Sequence, residues 1–175
     1  DWIEVPSDKV SFDEKPEMKA REVCNEIVKD LETKAHRFIR VNFANGDMVG
    51  HTGSLEAAVR AIEVVDECMG RIEAAVREAG ATMVVTADHG NLDMMWEVDR
   101  RTGLTKLNDD GNPVIKTSHT LSPVPWCLVG RDANRFRAKT SVEDPGLANI
   151  ASTLLTLLGF KAPSDYLPSL VEPVE

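Results

Sequence analysis

The chain has 175 residues, of which 42% are hydrophobic, and is therefore long enough to form a domain with a substantial buried core. Its 29 acidic and 20 basic residues give a formal net charge of -9, which disfavours a nucleic acid or an anionic membrane surface as a partner. Three separated cysteines indicate no disulfide framework and no thiolate zinc site, and no apolar run approaches the roughly 18 residues of a membrane span, so the sequence predicts a soluble intracellular protein.

The first half of the chain predicts a helix, a strand and a second helix. Apolar residues near helical spacing within residues 16–33 predict the first helix. The apolar, β-branched run His36–Ala44 predicts a buried strand that leads into a loop. Residues 54–80 predict a long helix that begins at Ser54 and ends at Gly80. Its core-facing stripe is expected to contain Leu55, Val59, Ile62, Val65, Met69, Ile72 and Val76.

The second half predicts two more strands, over residues 82–90 and 124–130, and a last helix within residues 146–159. Between Asn91 and Ser118, Thr-Gly and Asp-Gly pairs predict a surface hairpin, with NDDG as a turn and not a calcium loop. This order of elements favours an α/β domain around a mostly parallel sheet flanked by helices. The chain begins at Asp1 and not at Met, and we expect it to be a segment of a longer protein.

Candidate metal ligands follow or precede the predicted strands. Asp47 and His51 occupy a glycine-rich loop after the first strand, Asp88 and His89 end the second, and His119 precedes the third. Ligands of open α/β sheets bind where loops leave the carboxyl ends of the strands. A single histidine in a loop is usually only a hydrogen-bonding group, but carboxylate and imidazole together are ligands of zinc or manganese. Five such residues at one edge of the sheet favour a metal site.

Four residues outside the candidate ligand set were also considered for a role in the site. Lys9 lies in an extended segment and would suit a phosphate near the metal site, the alternative being an ordinary exposed lysine. His36 precedes the first strand, and we expect it to be solvated and remote from the other histidines. Trp96 and Trp126 are interpreted as packing residues and not as substrate platforms.

Three motifs together resemble the cofactor-independent phosphoglycerate mutases of the alkaline phosphatase superfamily. They are NFANGDMVGHTG (residues 42–53), VVTADHGN (84–91) and TSHTLSPVPW (117–126). The opening VPSDKVSFDEKPEMKAREV and the closing LANIASTLLTLLGFKAPSDYLPSL are also similar to that family, although Pro168 stands where a glycine is usual. The long segment before TSHT resembles the plant and trypanosomatid branch. The resemblance implies an alkaline-phosphatase-like fold that is incomplete here, with residues 1–175 as the C-terminal segment of the phosphatase domain.

The resemblance also implies a metal content. Asp47, His51 and His119 would hold one divalent ion, and Asp88 and His89 would contribute to a second. Mn²⁺ is the expected metal, with Co²⁺, Mg²⁺ or Zn²⁺ as alternatives, because carboxylate and imidazole ligands suit all of them. The enzyme would not need 2,3-bisphosphoglycerate.

The reaction that the resemblance implies interconverts 3-phosphoglycerate and 2-phosphoglycerate in glycolysis and gluconeogenesis. A serine bound to the second ion forms a phosphoserine intermediate, and Lys9 matches the lysine near the transferred phosphate. That serine, a further aspartate ligand and the transferase domain lie upstream in the family. Four serines of this chain do not stand in the nucleophile's motif: Ser7, Ser11, Ser54 and Ser118. We therefore expect the isolated chain to be inactive, and the complete enzyme to be a cytoplasmic monomer.

Two alternatives remain open at this point. A related metal-dependent phosphatase or a phosphopentomutase would share the same ligands, since the superfamily does. A non-catalytic metal-binding module is the other alternative, because the nucleophile is not in this chain.

Overall fold

The computed structural model describes residues 2–174. Its α-helices are α1 (Ala20–Thr33), α2 (Asn45–Gly50), α3 (Leu55–Ala79) and α4 (Ile150–Leu157). Its strands are β1 (Thr82–Thr86), β2 (Trp126–Gly130), β3 (Phe136–Ala138) and β4 (Val171–Pro173), with short 3₁₀ helices at Ala133–Arg135 and Leu147–Asn149. None of the helices within the described range is long and apolar enough to cross a membrane.

The chain divides into two compact units. The first unit combines the residues up to Ala75 with His89–Pro125, and the second combines Val76–Asp88 with the residues from Trp126 onward. Helices α1 and α2, most of α3 and the polar segment after His89 belong to the first unit. The four strands and α4 belong to the second.

In the first unit, α1 packs against α3 through small buried side chains. Cys24 on α1 is fully buried, and its thiol lies 3.6 Å from the backbone oxygen of Cys68 on α3. At the edge of this contact Arg21 forms a two-pronged ion pair with Glu67, with N···O distances of 3.0 and 2.6 Å. All three cysteines of the chain are free, as the sequence predicts, and Cys127 is exposed. A buried apolar contact with a charged rim therefore holds the two helices together.

Helix α3 confirms the predicted long helix, and the Ser54 hydroxyl accepts a hydrogen bond from the N–H of Ala57 at 3.3 Å, as an N-cap does. The expected core stripe is wrong in the first half of this helix, where Leu55, Val59 and Ile62 are 58%, 53% and 47% exposed. The buried residues there are instead small: Ala57, Ala58, Ala61 and Val64. Alanines let Val49 and Met95 approach closely, so the buried face follows the smaller side chains and not the larger ones.

The predicted strand over residues 36–44 does not form. This segment lies outside the β-ladders of the described residues, and Phe38, Ile39 and Val41 are 52%, 36% and 44% exposed. A strand needs a neighbouring strand to pair with its backbone N–H and C=O groups. Apolar, β-branched composition reports the tendency to be a strand, but it does not supply that neighbour.

In the second unit, the two predicted strands that follow α3 are confirmed as β1 and β2. They pair antiparallel, from Thr82 opposite Gly130 to Thr86 opposite Trp126. The expected parallel pairing is wrong for these strands, because the connection between them contains no crossover helix and returns the chain in the opposite direction. Strands β3 and β4 also pair antiparallel. The predicted last helix is confirmed as α4, and the buried Thr153 hydroxyl accepts a hydrogen bond from the N–H of Leu170 at 2.9 Å.

The polar segment between Asn91 and Ser118 forms the predicted hairpin, with one extra reversal of the chain. Isolated antiparallel bridges join Trp96 to Ile115, Val98 to Thr105, and Leu107 to Pro113. The reversals fall at the predicted pairs, where Gly103 and Gly111 adopt φ of 72° and 81°. NDDG is therefore a turn, as the sequence predicts. Asp99 accepts hydrogen bonds from the N–H groups of Arg101 and Thr102, which lower the pKa of its carboxyl below the usual value.

Candidate metal centre

Helix α2 positions Asp47 and His51. The glycine-rich segment, which we expected to be a loop, forms one and a half turns of α-helix, and the N–H of His51 donates to the carbonyl of Asp47 at 3.1 Å. The i,i+4 spacing places both side chains on one face of the helix. The helix is anchored on its other side by Val49, which is fully buried, and by the buried Asn45. The Asn45 amide donates to the backbone oxygens of residues 16 and 17 at 2.9 and 3.0 Å.

Three potential metal-binding atoms lie close together, and we call them the donor triangle: Asp47 Oδ1, His51 Nε2 and His119 Nε2. Asp47 Oδ1 lies 3.1 Å from each histidine nitrogen, and the two nitrogens are 3.2 Å apart. A tetrahedral ion with bonds of about 2.0–2.1 Å holds its ligand atoms roughly 3.3 Å apart, so the triangle has the size that such an ion needs. Its side chains are 30–45% exposed, which leaves the site open to a ligand.

His119 is positioned by hydrogen bonds between the residues that follow it and residues 90–93. The N–H of Thr120 donates to the carbonyl of Gly90 at 2.9 Å, and the Thr120 hydroxyl donates to the Asp93 carboxylate at 2.9 and 3.0 Å. The Ser122 hydroxyl donates to the same carboxylate at 2.6 Å. A Cβ at Gly90 would lie 2.1 Å from the Thr120 hydroxyl oxygen, so a larger residue would separate the two segments. Hydrogen bonds from Ser122 and Thr120 lower the pKa of Asp93 below its usual value.

His89 joins the site by stacking on His119. The two rings are nearly parallel, at 7°, with centroids 3.6 Å apart. The ring of His51 lies 5.2 Å from that of His119 and is tilted by 44°. The stacking restricts rotation of the His119 ring. The structure therefore brings all three predicted ligand histidines together near Asp47.

The second predicted ion is less completely defined. Asp88 is exposed and is the last residue of Val76–Asp88, a segment of the second unit, whereas His89 is the first residue of His89–Pro125, a segment of the first unit. Among residues 2–174, the donor triangle is the group of three that has the spacing of a metal site, and neither of these two residues belongs to it. A second ion held by Asp88 and His89 stays a prediction.

Lys9 and His36 are not members of the donor triangle. Lys9 is exposed in the extended segment before α1, and the neighbouring Asp8 forms ion pairs with Lys15 and with Lys19, the latter at 3.0 Å. A contact between Lys9 and a phosphate stays a prediction. His36 is exposed beside the Asp30 carboxylate, in agreement with the expectation that it is solvated.

Two polar residues at the site were missed by the sequence analysis. Asn91, which is 9% exposed, donates its amide N–H to Asp47 Oδ1 at 2.8 Å. Asp93 binds the two hydroxyls that follow His119. Both residues lie within three positions after the Asp-His-Gly motif, which we interpreted as the end of a strand carrying two candidate ligands. Their position in the same motif as two candidate ligands is the signal that could have identified them.

Alternating helices and strands, with a carboxylate and imidazoles converging at one point, are typical of metal-dependent enzymes. The chain belongs to the metalloenzyme superfamily, whose family model matches residues 1–162.

Within the metalloenzyme superfamily, the chain is similar to phosphoglycerate mutases. The chain is 44% identical to a probable 2,3-bisphosphoglycerate-independent phosphoglycerate mutase 2 of Arabidopsis thaliana, over 100% of this chain and 31% of the relative. It is 42% identical to the corresponding mutase of Trypanosoma brucei brucei, over 98% of this chain and 31% of the relative. The crystal structure of Leishmania mexicana phosphoglycerate mutase at low cobalt concentration matches with a TM-score of 0.92 and 42% identity, over 98% of this chain and 31% of that protein.

These matches confirm the predicted α/β, alkaline-phosphatase-like fold and the resemblance to cofactor-independent phosphoglycerate mutases. The resemblance covers only part of each relative, because the chain spans 31% of their length.

Proposed function

We propose that this chain is the metal-binding segment of an enzyme that interconverts 3-phosphoglycerate and 2-phosphoglycerate through a phosphoserine, without 2,3-bisphosphoglycerate. The donor triangle carries this proposal, since it places metal-binding atoms on a chain that is 42–44% identical to such mutases. The serine nucleophile would come from outside residues 1–175. The isolated chain would therefore be inactive, and residues 1–175 would be the C-terminal segment of a phosphatase domain.

Asp47, His51 and His119 would hold one ion, and Asp88 and His89 would contribute to a second. Bound ions would lower the pKa of the serine hydroxyl and neutralise charge on the phosphoryl oxygens. The histidines of the triangle must present unprotonated Nε2 atoms, so protons would compete with the metal. The Asp47 carboxylate supplies a negative charge that favours a divalent cation. Lys9 would add a positive charge beside the transferred phosphate.

We propose Mn²⁺ as the metal, because carboxylate and imidazole ligands suit this ion, although they also suit Co²⁺, Mg²⁺ and Zn²⁺. We place the enzyme in the cytoplasm as a monomer that acts in glycolysis and gluconeogenesis. The net charge of -9 supports the absence of nucleic-acid and membrane partners.

The test uses the full-length protein, stripped of metal with a chelator and then supplied with Mn²⁺ or Co²⁺ in turn. Formation of 2-phosphoglycerate from 3-phosphoglycerate is followed without 2,3-bisphosphoglycerate, and we expect activity only after metal is restored. Release of free phosphate instead would favour a phosphatase. Isomerisation of pentose phosphates would favour a phosphopentomutase. Metal binding without any turnover would favour a non-catalytic module.

A further inference from the structure

Asn91 is a buried amide that contacts two of the three atoms of the donor triangle. Its side-chain nitrogen lies 2.8 Å from Asp47 Oδ1 and 3.2 Å from His51 Nε2. The same nitrogen lies 3.3 Å from the backbone oxygen of Asp47. Asn91 itself is only 9% exposed, so water cannot easily replace these hydrogen bonds. The amide is thus directed at Asp47 within α2 and at His51, which directly follows α2.

The packing around Asn91 limits its movement. A Cβ at Gly50 would lie 2.2 Å from Asn91 Oδ1, 2.9 Å from its Cγ and 3.0 Å from Leu92 Cδ2. Gly50 is itself buried near the end of α2 and has no need of a positive φ. The absence of a side chain at Gly50 therefore provides the space that the Asn91 amide occupies.

The chemistry of the amide favours an orienting role. A carboxylate oxygen has two lone pairs, so Asp47 Oδ1 can accept the Asn91 N–H with one and bind an ion with the other. A hydrogen bond to a charged acceptor is stronger than one between neutral groups. Partners of this kind fix the orientation of metal-binding carboxylates and histidines. His51 Nε2 has a single lone pair, and an ion would take it from the amide.

We propose that Asn91 is a positioning residue, whose amide N–H holds the Asp47 carboxylate in the orientation that binds the ion, and that Gly50 is a glycine because Asn91 fills the space of its side chain. This inference rests on the metal centre of the proposed function.

The test is titration of Co²⁺ into the metal-free full-length protein, read by the visible absorption of bound Co²⁺. We expect Asn91→Ala to weaken binding by about 10- to 100-fold, the usual cost of removing such a partner. At saturating Co²⁺ the shape of the spectrum should stay that of the wild type, since the ligands are unchanged. Gly50→Ala should also weaken binding although alanine favours a helix. The double variant should bind no more weakly than Asn91→Ala, because the displaced amide is already gone.

Two matched controls separate this role from general destabilisation. Asn149→Ala removes another buried amide, which is 2% exposed and bonds to backbone groups of Gly146 and Pro168. Gly70→Ala adds a methyl group to α3 where nothing lies within 4 Å. Both controls should bind Co²⁺ as the wild type does, whatever their unfolding temperatures.

Co²⁺ affinity in Asn91→Ala equal to that of the wild type would overturn the proposal. Weaker binding with an altered spectrum would also overturn it, because Asn91 would then be a ligand and not an orienting donor. A wild-type protein that binds no Co²⁺ would overturn both this inference and the metal centre. Wild-type binding without mutase turnover would overturn only the proposed function.

Discussion

The Asp47 carboxylate supplies the negative charge of the donor triangle. Its Oδ1 faces both histidine nitrogens at 3.1 Å and accepts the Asn91 amide at 2.8 Å. Its side chain is 31% exposed, so its replacement leaves no large cavity. Asp47→Ala should therefore remove the metal and the activity together while the fold persists.

Mutation of a residue that hydrogen-bonds to a metal ligand typically reduces activity by up to roughly 100-fold. Because Asp47 is itself a proposed ligand, we expect the turnover of the full-length Asp47→Ala enzyme to fall by more than that. Metal content by elemental analysis and the circular dichroism spectrum, measured beside the rate, would separate loss of metal from loss of fold. A variant that keeps its activity within a few-fold would exclude Asp47 as a ligand.

Lys9 offers a second prediction at this scale. A lysine at the transferred phosphate would stabilise charge in the transition state, and its loss would cost about 3 kcal/mol, or roughly a hundredfold in rate. An ordinary surface lysine would contribute under about 1 kcal/mol, because solvent and salt screen its charge. Lys9→Ala should reduce turnover while both ions remain bound, unlike Asp47→Ala. Normal turnover with normal metal content would show that Lys9 is only a surface residue.

The candidate ligands of the site were predictable from the sequence, but the buried residue that hydrogen-bonds to them was not. Asp47, His51 and His119 were recognisable because aspartate or histidine recurs beside the predicted strands in three motifs. Their i,i+4 spacing already allowed Asp47 and His51 to share a helical face, although we expected a loop. The position of Asn91 in the motif of Asp88 and His89 could have placed it near the site, but its role depends on burial against Gly50, which the sequence pattern does not report.

At the scale of elements, the segment after His119 is attached to the one after His89 through Asp93. Its hydrogen bonds from Ser122 and Thr120 lower the pKa of the Asp93 carboxyl, so this group stabilises the fold when it is ionised. Its contribution should be fully present above the usual value of 3.8 and lost as the pH falls through the lower value of the folded state.

The prediction is that Asp93→Asn lowers the unfolding temperature at pH 7, and that the difference from the wild type shrinks as the pH falls below about 4. Calorimetric scans of both proteins across that range measure it. Asp109→Asn is a suitable control, because Asp109 is an exposed acidic residue in the hairpin turn. A difference that stays constant down to pH 2 would mean that the Asp93 charge has no part in this attachment.

The contact between α1 and α3 predicts the reactivity of the thiols. Burial, and the neighbouring Cys24, raise the pKa of Cys68 to about 11. Cys127 on β2 is exposed. A thiol reagent at pH 8 should therefore modify Cys127 in the native protein, and should reach Cys24 and Cys68 only after unfolding.

Mass spectrometry of the labelled peptides would identify the sites. Because the pKa of Cys68 is higher in the folded state than the usual 9.0, its contribution to stability should be present below pH 9 and should decline toward pH 11. Rapid labelling of Cys68 in the native protein would contradict the buried contact between the helices.

The elements themselves were predictable to different degrees. Helices α1, α3 and α4 follow from apolar spacing and end signals, which act locally. The prediction of a strand at residues 36–44 was wrong because strand pairing depends on a distant segment. The predicted core stripe on α3 was wrong in its first half because small residues such as Ala57 and Ala61 are buried there instead. The antiparallel pairing of β1 and β2 depends on the path of the connection between them, which strand composition does not report.

At the scale of the whole molecule, the chain spans 31% of the length of its relatives, and the candidate ligands divide unevenly within it. All three donors of the triangle belong to the first compact unit. The second predicted ion would have only Asp88 and His89 from this chain, and two ligands hold a divalent ion far less tightly than three or four.

The isolated 175-residue chain should therefore bind one equivalent of Co²⁺ with high affinity, whereas the full-length enzyme should bind two. It should also leave 3-phosphoglycerate unchanged at saturating metal, because the nucleophile is expected outside it. Isothermal titration of Co²⁺ into both proteins measures the stoichiometry, and the Asp47→Ala chain is the control that should bind none. Two tightly bound equivalents in the isolated chain would mean that Asp88 and His89 find further ligands within residues 1–175. Turnover by that chain would mean that it contains its own nucleophile, and the assignment of the serine to another segment would be wrong.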